Sequence, residues 1–348
     1  MINFSVKSNY IFLFFLIYLK CIIFYCVYFF KIGNEYILLG LDADTYNAYA
    51  LGYLYDKEAS NLWFWLLKKL NSLGFYNREY VLYIIFFINI FLIPFTFIKI
   101  CLNSNYIKST LFFPLTMFFL ILSPSIFFHS FDIYRDIVML FVFLIALYLV
   151  KLNDIKLKFS LVFVVLFGLI LFWFRAYLGL AFLLAYFSSF FINLNKHLFK
   201  KAVIYFFILF IFNFLGFFDP MIEYRNWFLE DDGNTNLGID FSNKIMFFPN
   251  FIYSATLQLF GFYYYGLSSL ILFLAESIFF IFSLAYVFKN KKYLQDSLLF
   301  YFLFFIFYTS IWLISNDNFG TAIRLRWFSY IPIYILALSI FQKKNSLS

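Results

Sequence analysis

The sequence predicts an all-α, polytopic transmembrane helical bundle, and two observations carry that prediction. Of 348 residues, 65% are hydrophobic and only 13% are charged, a balance that would leave a water-soluble fold with far too much apolar surface. The apolar residues also recur in runs of about twenty, the length that crosses a hydrocarbon core of about 30 Å as a helix. Stretches such as 87–98 and 299–311 are apolar on every face. A membrane helix tolerates this, whereas a barrel strand must alternate between lipid and lumen.

Hydropathy divides the chain into about ten predicted spans, at 9–30, 80–98, 110–128, 134–150, 159–174, 176–193, 202–218, 266–288, 297–314 and 327–342. They form a single integral membrane domain over 1–348. The first run follows Lys7 and has no small-residue cleavage pattern behind it, so it reads as a retained signal anchor. Pro94, Pro114 and Pro332 fall inside spans, where a lipid-embedded helix accepts a kink if a neighbour satisfies the freed carbonyl. The run 246–265 reads as interfacial or re-entrant, because a further span there would invert everything after it.

Lysine sets the orientation. With the N-terminus inside, fourteen of the twenty lysines lie in inner loops, five outside, and Lys20 within a span. The positive-inside rule then predicts an N-in, C-in topology. The net charge of +8 is accounted for by this topogenic set facing anionic lipid, so no nucleic-acid partner is expected. The sixty Phe and twenty-nine Tyr read as lipid-facing and packing residues with interfacial belts. Cys21, Cys26 and Cys101 lie in or at the ends of predicted spans and suggest neither a disulfide framework nor a metal cluster.

Two outer loops are long. Loop 31–79 holds LDADTYNAYA (41–50) and NLWFWLLKKLNSLGF (61–75), the latter an amphipathic surface helix with Lys68 and Lys69 exposed. Loop 219–248 holds EDDGNTNLGID (230–240), which has the turn chemistry of a solvated cap or lid. The short outer segments HSFDIYRD (129–136), the Arg175 turn and NDNFGTAIRLR (316–326) complete that face.

All six arginines, Arg78, Arg135, Arg175, Arg225, Arg324 and Arg326, fall outside on this topology, although lysine alone set it. A planar fork of donors suits a phosphate or carboxylate better than an ammonium does; the alternative is anchoring and ion pairing with Asp132, Asp136 or Asp317. Asp42 and Asp44 follow the first span, where a carboxylate can deprotonate a sugar hydroxyl or join a divalent metal, or simply cap a helix. No resident cofactor is expected. His129 is a candidate base or head-group donor, with an interfacial role as the alternative. Lys20 and Glu276 are the two ionisable residues deep in spans and are expected to pair with each other.

Through this architecture the chain resembles the O-antigen polymerases of bacterial surface-polysaccharide pathways. The resemblance implies a substrate of undecaprenyl-pyrophosphate-linked repeat units, joined at the outer face of the inner membrane, and a possible chain-length regulator as partner. It makes Arg135, Arg175, Arg225, Arg324 and Arg326 candidates for the anionic donor, with His129 and Asp136 beside them. Asp42 and Asp44, the surface helix 61–75, and NDNFGTAIRLRW before the last span also resemble the C-type-fold membrane glycosyltransferases, which use polyprenyl-linked sugars at the same face. A flippase or other carrier is the alternative from a different class; it would need charge through the midplane and, usually, repeated halves.

Overall fold

A computed structural model describes residues 6–30, 41–54, 61–101, 112–156, 158–192, 198–230, 236–295 and 298–347. Most of these residues are helical and none lies in a strand; one isolated bridge joins Asn236 to Asn318. Among them four helices are long and apolar enough to cross a membrane: Ile11–Tyr28, Arg78–Cys101, Leu267–Lys289 and Phe319–Asn345. The bent pair Val203–Phe214 and Asp219–Asn226, turning by 72°, makes a fifth if it is one span. Contacts divide the chain into two compact units, Met1–Leu180 and Ala181–Ser348.

The first unit begins with α1 (Val6–Tyr28), α2 (Leu41–Ala50), α3 (Leu62–Ser72) and α4 (Arg78–Cys101). Within α4, Ile88–Leu92 is π-helical. Pro94 follows directly; its ring lacks an N–H and crowds the carbonyl four residues back, and the wide turn just upstream relieves both. Asn89 in that turn accepts from Lys20 Nζ (2.9 Å) and donates to Ile126 O (3.2 Å). Lys20 is thus met inside its own unit, and the expected partnership with Glu276 gives way to this amide.

The predicted span 110–128 divides into α5 (Phe112–Ile121) and α6 (Pro124–Phe128). The cause is Pro124, which disfavours helix at Ser123 and leaves that hydroxyl to cap Ile126 N at 3.2 Å. Then come α7 (Arg135–Lys156) and α8 (Lys158–Phe174), with α7 packed on both α8 and the second half of α4; the boundary between the units falls within the next helix, α9 (Ala176–Ser189), after Leu180. Arg78 and Arg135 begin α4 and α7; at the far ends of the same helices Lys151 Nζ donates to Ile100 O at 2.6 Å. Arginine and lysine therefore mark opposite ends, about 30 Å apart at helical rise.

The second unit contains α10 (Leu198–Phe214), α11 (Asp219–Glu230), α12 (Phe247–Ser254), α13 (Leu267–Lys289), α14 (Leu299–Ser315) and α15 (Phe319–Leu347). Gly216, at φ +82°, makes the corner between α10 and α11. A π-helical segment, Ala255–Leu259, extends α12 to thirteen residues, about 20 Å and short of a full crossing. It ends in the turn 260–266. The core is α14 against α15, most of whose side chains are buried. By contrast α10 and α13 carry exposed Val203, Ile204, Phe207, Leu270, Ile271 and Phe282, the apolar surface that lipid requires and water penalises.

The segment 316–326, read from sequence as an outer loop, is helical from Phe319 onward. Asn318 Oδ1 accepts from Thr321 N at 3.0 Å and starts the helix there. Arg324 and Arg326 therefore stand on α15 itself.

Candidate functional site

In the first unit, Asp42 and Asp44 occupy the opening turn of α2, where carboxylates complement the helix dipole. That helix docks on α3 through Tyr46 and Tyr49, each set edge-on to Phe64 at 4.9 and 4.8 Å. The surface helix expected at 61–75 is α3, capped by Asn61, with Lys68 and Lys69 exposed; Trp63 and Leu67 are buried in the protein. Trp63 Nε1 donates to Ile133 O at 2.9 Å, which ties α3 to the 129–134 segment.

Asn77 caps Glu79 N (2.9 Å) and Tyr80 N (3.2 Å), so α4 starts at Arg78 and sets its guanidinium at the helix mouth. Arg78 grips Asp132 with two donors, Nε to Oδ1 at 2.9 Å and Nη2 to Oδ2 at 2.5 Å. Nη2 also reaches Asp44 Oδ1 at 2.8 Å. The Asp44 side chain is 70% exposed against 18% for Asp132. Arg78 is thereby anchored on the inner carboxylate and orients the outer one, which keeps an open oxygen for a proton or a hydroxyl. Beside them Tyr76 Oη donates to Asn47 Oδ1 at 2.8 Å; burial, opposed by the Arg78 charge, pushes this phenol up to about 12, so it stays protonated at neutral pH.

The remaining candidates of this unit lie on the adjoining segments. His129 is buried, and its Nδ1 donates to Ser125 O at 2.6 Å, which in the neutral ring leaves Nε2 as acceptor. Asp136 is buried in the first turn of α7. Arg135 is half-buried and its Nε meets no acceptor among the described residues. Arg175 joins α8 to α9 and lies over the Tyr177 ring at 5.4 Å.

The second unit holds two arginines that are fully buried and differ in how completely they are bonded. On α11, Arg225 donates Nε to Ile239 O (2.9 Å) and Nη1 to Leu313 O and Ile314 O (both 3.1 Å), and Nη2 pairs with Asp317. The two α14 carbonyls are among those a helix C-terminus leaves unpaired, so Arg225 caps α14. Asp317 in turn accepts from Gly238 N (2.8 Å) and Ile239 N (3.1 Å), strapping the 236–241 segment to the same point. Of the predicted lid, 231–235 lie outside the described residues. At its far edge Asp240 is held below its ordinary range by the Ser242 hydroxyl and amide.

Arg326 contrasts with this. Nη2 pairs with Glu276 at 2.6 Å, Nη1 reaches Ser277 Oγ only at 3.4 Å, and Nε meets no acceptor among the described residues. Leaving a buried donor unsatisfied costs about 1–3 kcal/mol, so Arg326 is an incompletely bonded cation where Arg225 is a finished one. Glu276 stands on the π-helical segment Phe273–Ser277 of α13. Arg324 is half-buried on α15.

Asp317 and Glu276 were named from sequence as possible ion-pair partners, but not their pairings: they lie 92 and 50 residues from Arg225 and Arg326, a separation no local pattern encodes. Ser254 and Gln258 had a signal, being polar at i and i+4 in an apolar run. Ser254 Oγ donates to Leu313 O (2.9 Å), and Gln258 exchanges bonds with Asn316, donating to its carbonyl at 2.9 Å and accepting from its side chain at 2.6 Å. No family model, curated protein or solved structure matches the chain.

Proposed function

We propose that the protein is an integral membrane glycosyltransferase acting on a polyprenyl-linked sugar. Its reaction is the polymerisation of undecaprenyl-pyrophosphate-linked oligosaccharide repeat units at the outer face of a bacterial inner membrane. The observation that carries this reading is the solvent-open Asp44 carboxylate oriented by Arg78, with Arg135, Arg175 and His129 on neighbouring segments of the same unit. In this mechanism Asp44, or Asp42, deprotonates the acceptor hydroxyl as it attacks the anomeric carbon of the donor. Arginine donors offset the charge that develops on the departing undecaprenyl pyrophosphate. The membrane confines both polyprenyl tails, so the reacting ends meet with little loss of orientational entropy.

The reading includes about ten spans, with both termini in the cytoplasm. Its support is the lysine asymmetry and the opposite placement of arginine and lysine along α4 and α7. Reporters fused after Lys201 and Lys292 are expected to be active in the cytoplasm, and one fused within 230–240 outside it. Cytoplasmic activity from 230–240 would overturn the orientation.

Deleting the protein is expected to leave cells with surface lipid capped by a single repeat unit, measured as the ladder of polysaccharide lengths. Undiminished long chains would remove the polymerase reading. A carrier for the same lipid-linked sugar draws its support from the Glu276–Arg326 pair inside packed helices. It predicts loss of even the single-unit form.

A further inference from the structure

The under-bonded Arg326 sits beneath a turn built to lie against it. Gly261 has φ +72°, which L side chains rarely adopt, and a Cβ placed there would fall 2.5 Å from Ser277 Oγ and 3.1 Å from Arg326 Nη1. Only glycine lets the backbone of 260–266 approach this closely. Just before the turn, Leu259 O accepts from Tyr330 Oη at 2.7 Å, and Tyr330 also meets Ser277 Oγ at 3.1 Å. The turn's outer residues, Phe262, Tyr264 and Tyr265, are exposed. Two turns beyond Arg326 on the same face of α15, the buried Tyr334 hydroxyl also meets no acceptor among the described residues. A buried cation with a spare N–H, a second spare donor on its helix face, and a glycine turn as cover are the parts of a closed binding site.

We propose that Arg326 is a gated anion-recognition residue. When the turn 260–266 moves aside, its guanidinium takes an anionic phosphoryl oxygen in place of Glu276, the carboxylate that holds it in the closed state. The proposal rests on the polymerase reading only in assigning that oxygen to a lipid-linked diphosphate; the head group of an anionic phospholipid carries the same chemistry. π-Helical segments such as 273–277 occur often at functional sites, and this one presents both Glu276 and Ser277 to the arginine.

The test reads access to the closed site. Ser277→Cys, in a chain with Cys21, Cys26 and Cys101 changed to alanine, is reconstituted in phosphatidylcholine nanodiscs and treated with a membrane-impermeant thiol reagent. Inorganic pyrophosphate is expected to raise the labelling rate at least tenfold. Phosphatidylglycerol nanodiscs without pyrophosphate test the other source, and a rise there assigns the oxygen to a phospholipid head group. Either rise should vanish in Glu276→Gln/Arg326→Gln, which leaves no buried charge unpaired. Hydrogen exchange at 260–266 in the unaltered chain gives the same reading if the cysteine variant does not fold. No rise with either anion, or a rise that survives loss of Arg326, overturns the gate. Because the readout is access, the gate can fail while long polymer is still made, and can pass in a protein that makes none.

Discussion

Changing Asp317 to alanine is expected to destabilise the protein by about 3–5 kcal/mol, the range for stranding one partner of a buried ion pair. The size follows from what Asp317 does at once. Its side chain is fully buried, neutralises Arg225 and accepts two backbone amides of the 236–241 segment. Without it Arg225 keeps three carbonyl contacts but stays charged in a low-dielectric interior. The double change Arg225→Met/Asp317→Leu should recover much of the loss, since removing both charges is often near neutral in buried pairs. The measurement is thermal or denaturant unfolding in detergent, followed by tryptophan fluorescence. A single variant within about 0.5 kcal/mol of the parent, the range of an ordinary surface change, would show that the pair carries no structural weight.

The second large effect concerns Asp44. If it is the general base, Asp44→Asn removes a proton acceptor while keeping shape, and elongation should fall about 10²- to 10⁴-fold. Stability should barely change, because an exposed ion pair is worth about 0–1 kcal/mol. Arg78→Lys should reduce elongation less; it keeps the charge and loses the two-pronged grip on Asp132 that aims the carboxylate. Chain-length distributions at matched membrane abundance are the readout. Parental distributions in Asp44→Asn would shift the base to Asp42, and parental distributions in both would remove this cluster from the chemistry.

Much of the helical architecture was legible because apolar runs are local. The extents of α8, α13 and α14 follow their runs closely, whereas the caps Asn61 and Asn77 that start α3 and α4 were not read from the sequence. What escaped was local chemistry that hydropathy averages away. Pro124 splits one run into two short helices, and Asn318 starts α15 eight residues before the apolar stretch at 327. That early start carries Arg326 from a supposed helix mouth into the interior. In the site, the residue types were visible but their pairing was not. Asp132 stood among the possible arginine partners, yet only the fold selects Arg78 for it, and Glu276 meets Arg326 instead of Lys20. Each is a choice among distant carboxylates and cations of equal chemical merit.

Among the described residues three segments are π-helical, Ile88–Leu92, Ala255–Leu259 and Phe273–Ser277, and each contains one buried amide or carboxylate: Asn89, Gln258 and Glu276. A wide turn holds about one residue more than an α-turn, so everything downstream is rotated by about 100° relative to an uninterrupted α-helix. Phase along these helices is therefore reset at the polar residue. Losing a single residue within 273–277 would let the helix close its ordinary hydrogen bonds. It would leave Phe279, Phe280 and Val287, all buried, on the face that they share, whereas closing the turn to α with every residue kept would swing them out of it. The wide turn at each of these points is thus what reconciles one more residue with a fixed helix phase.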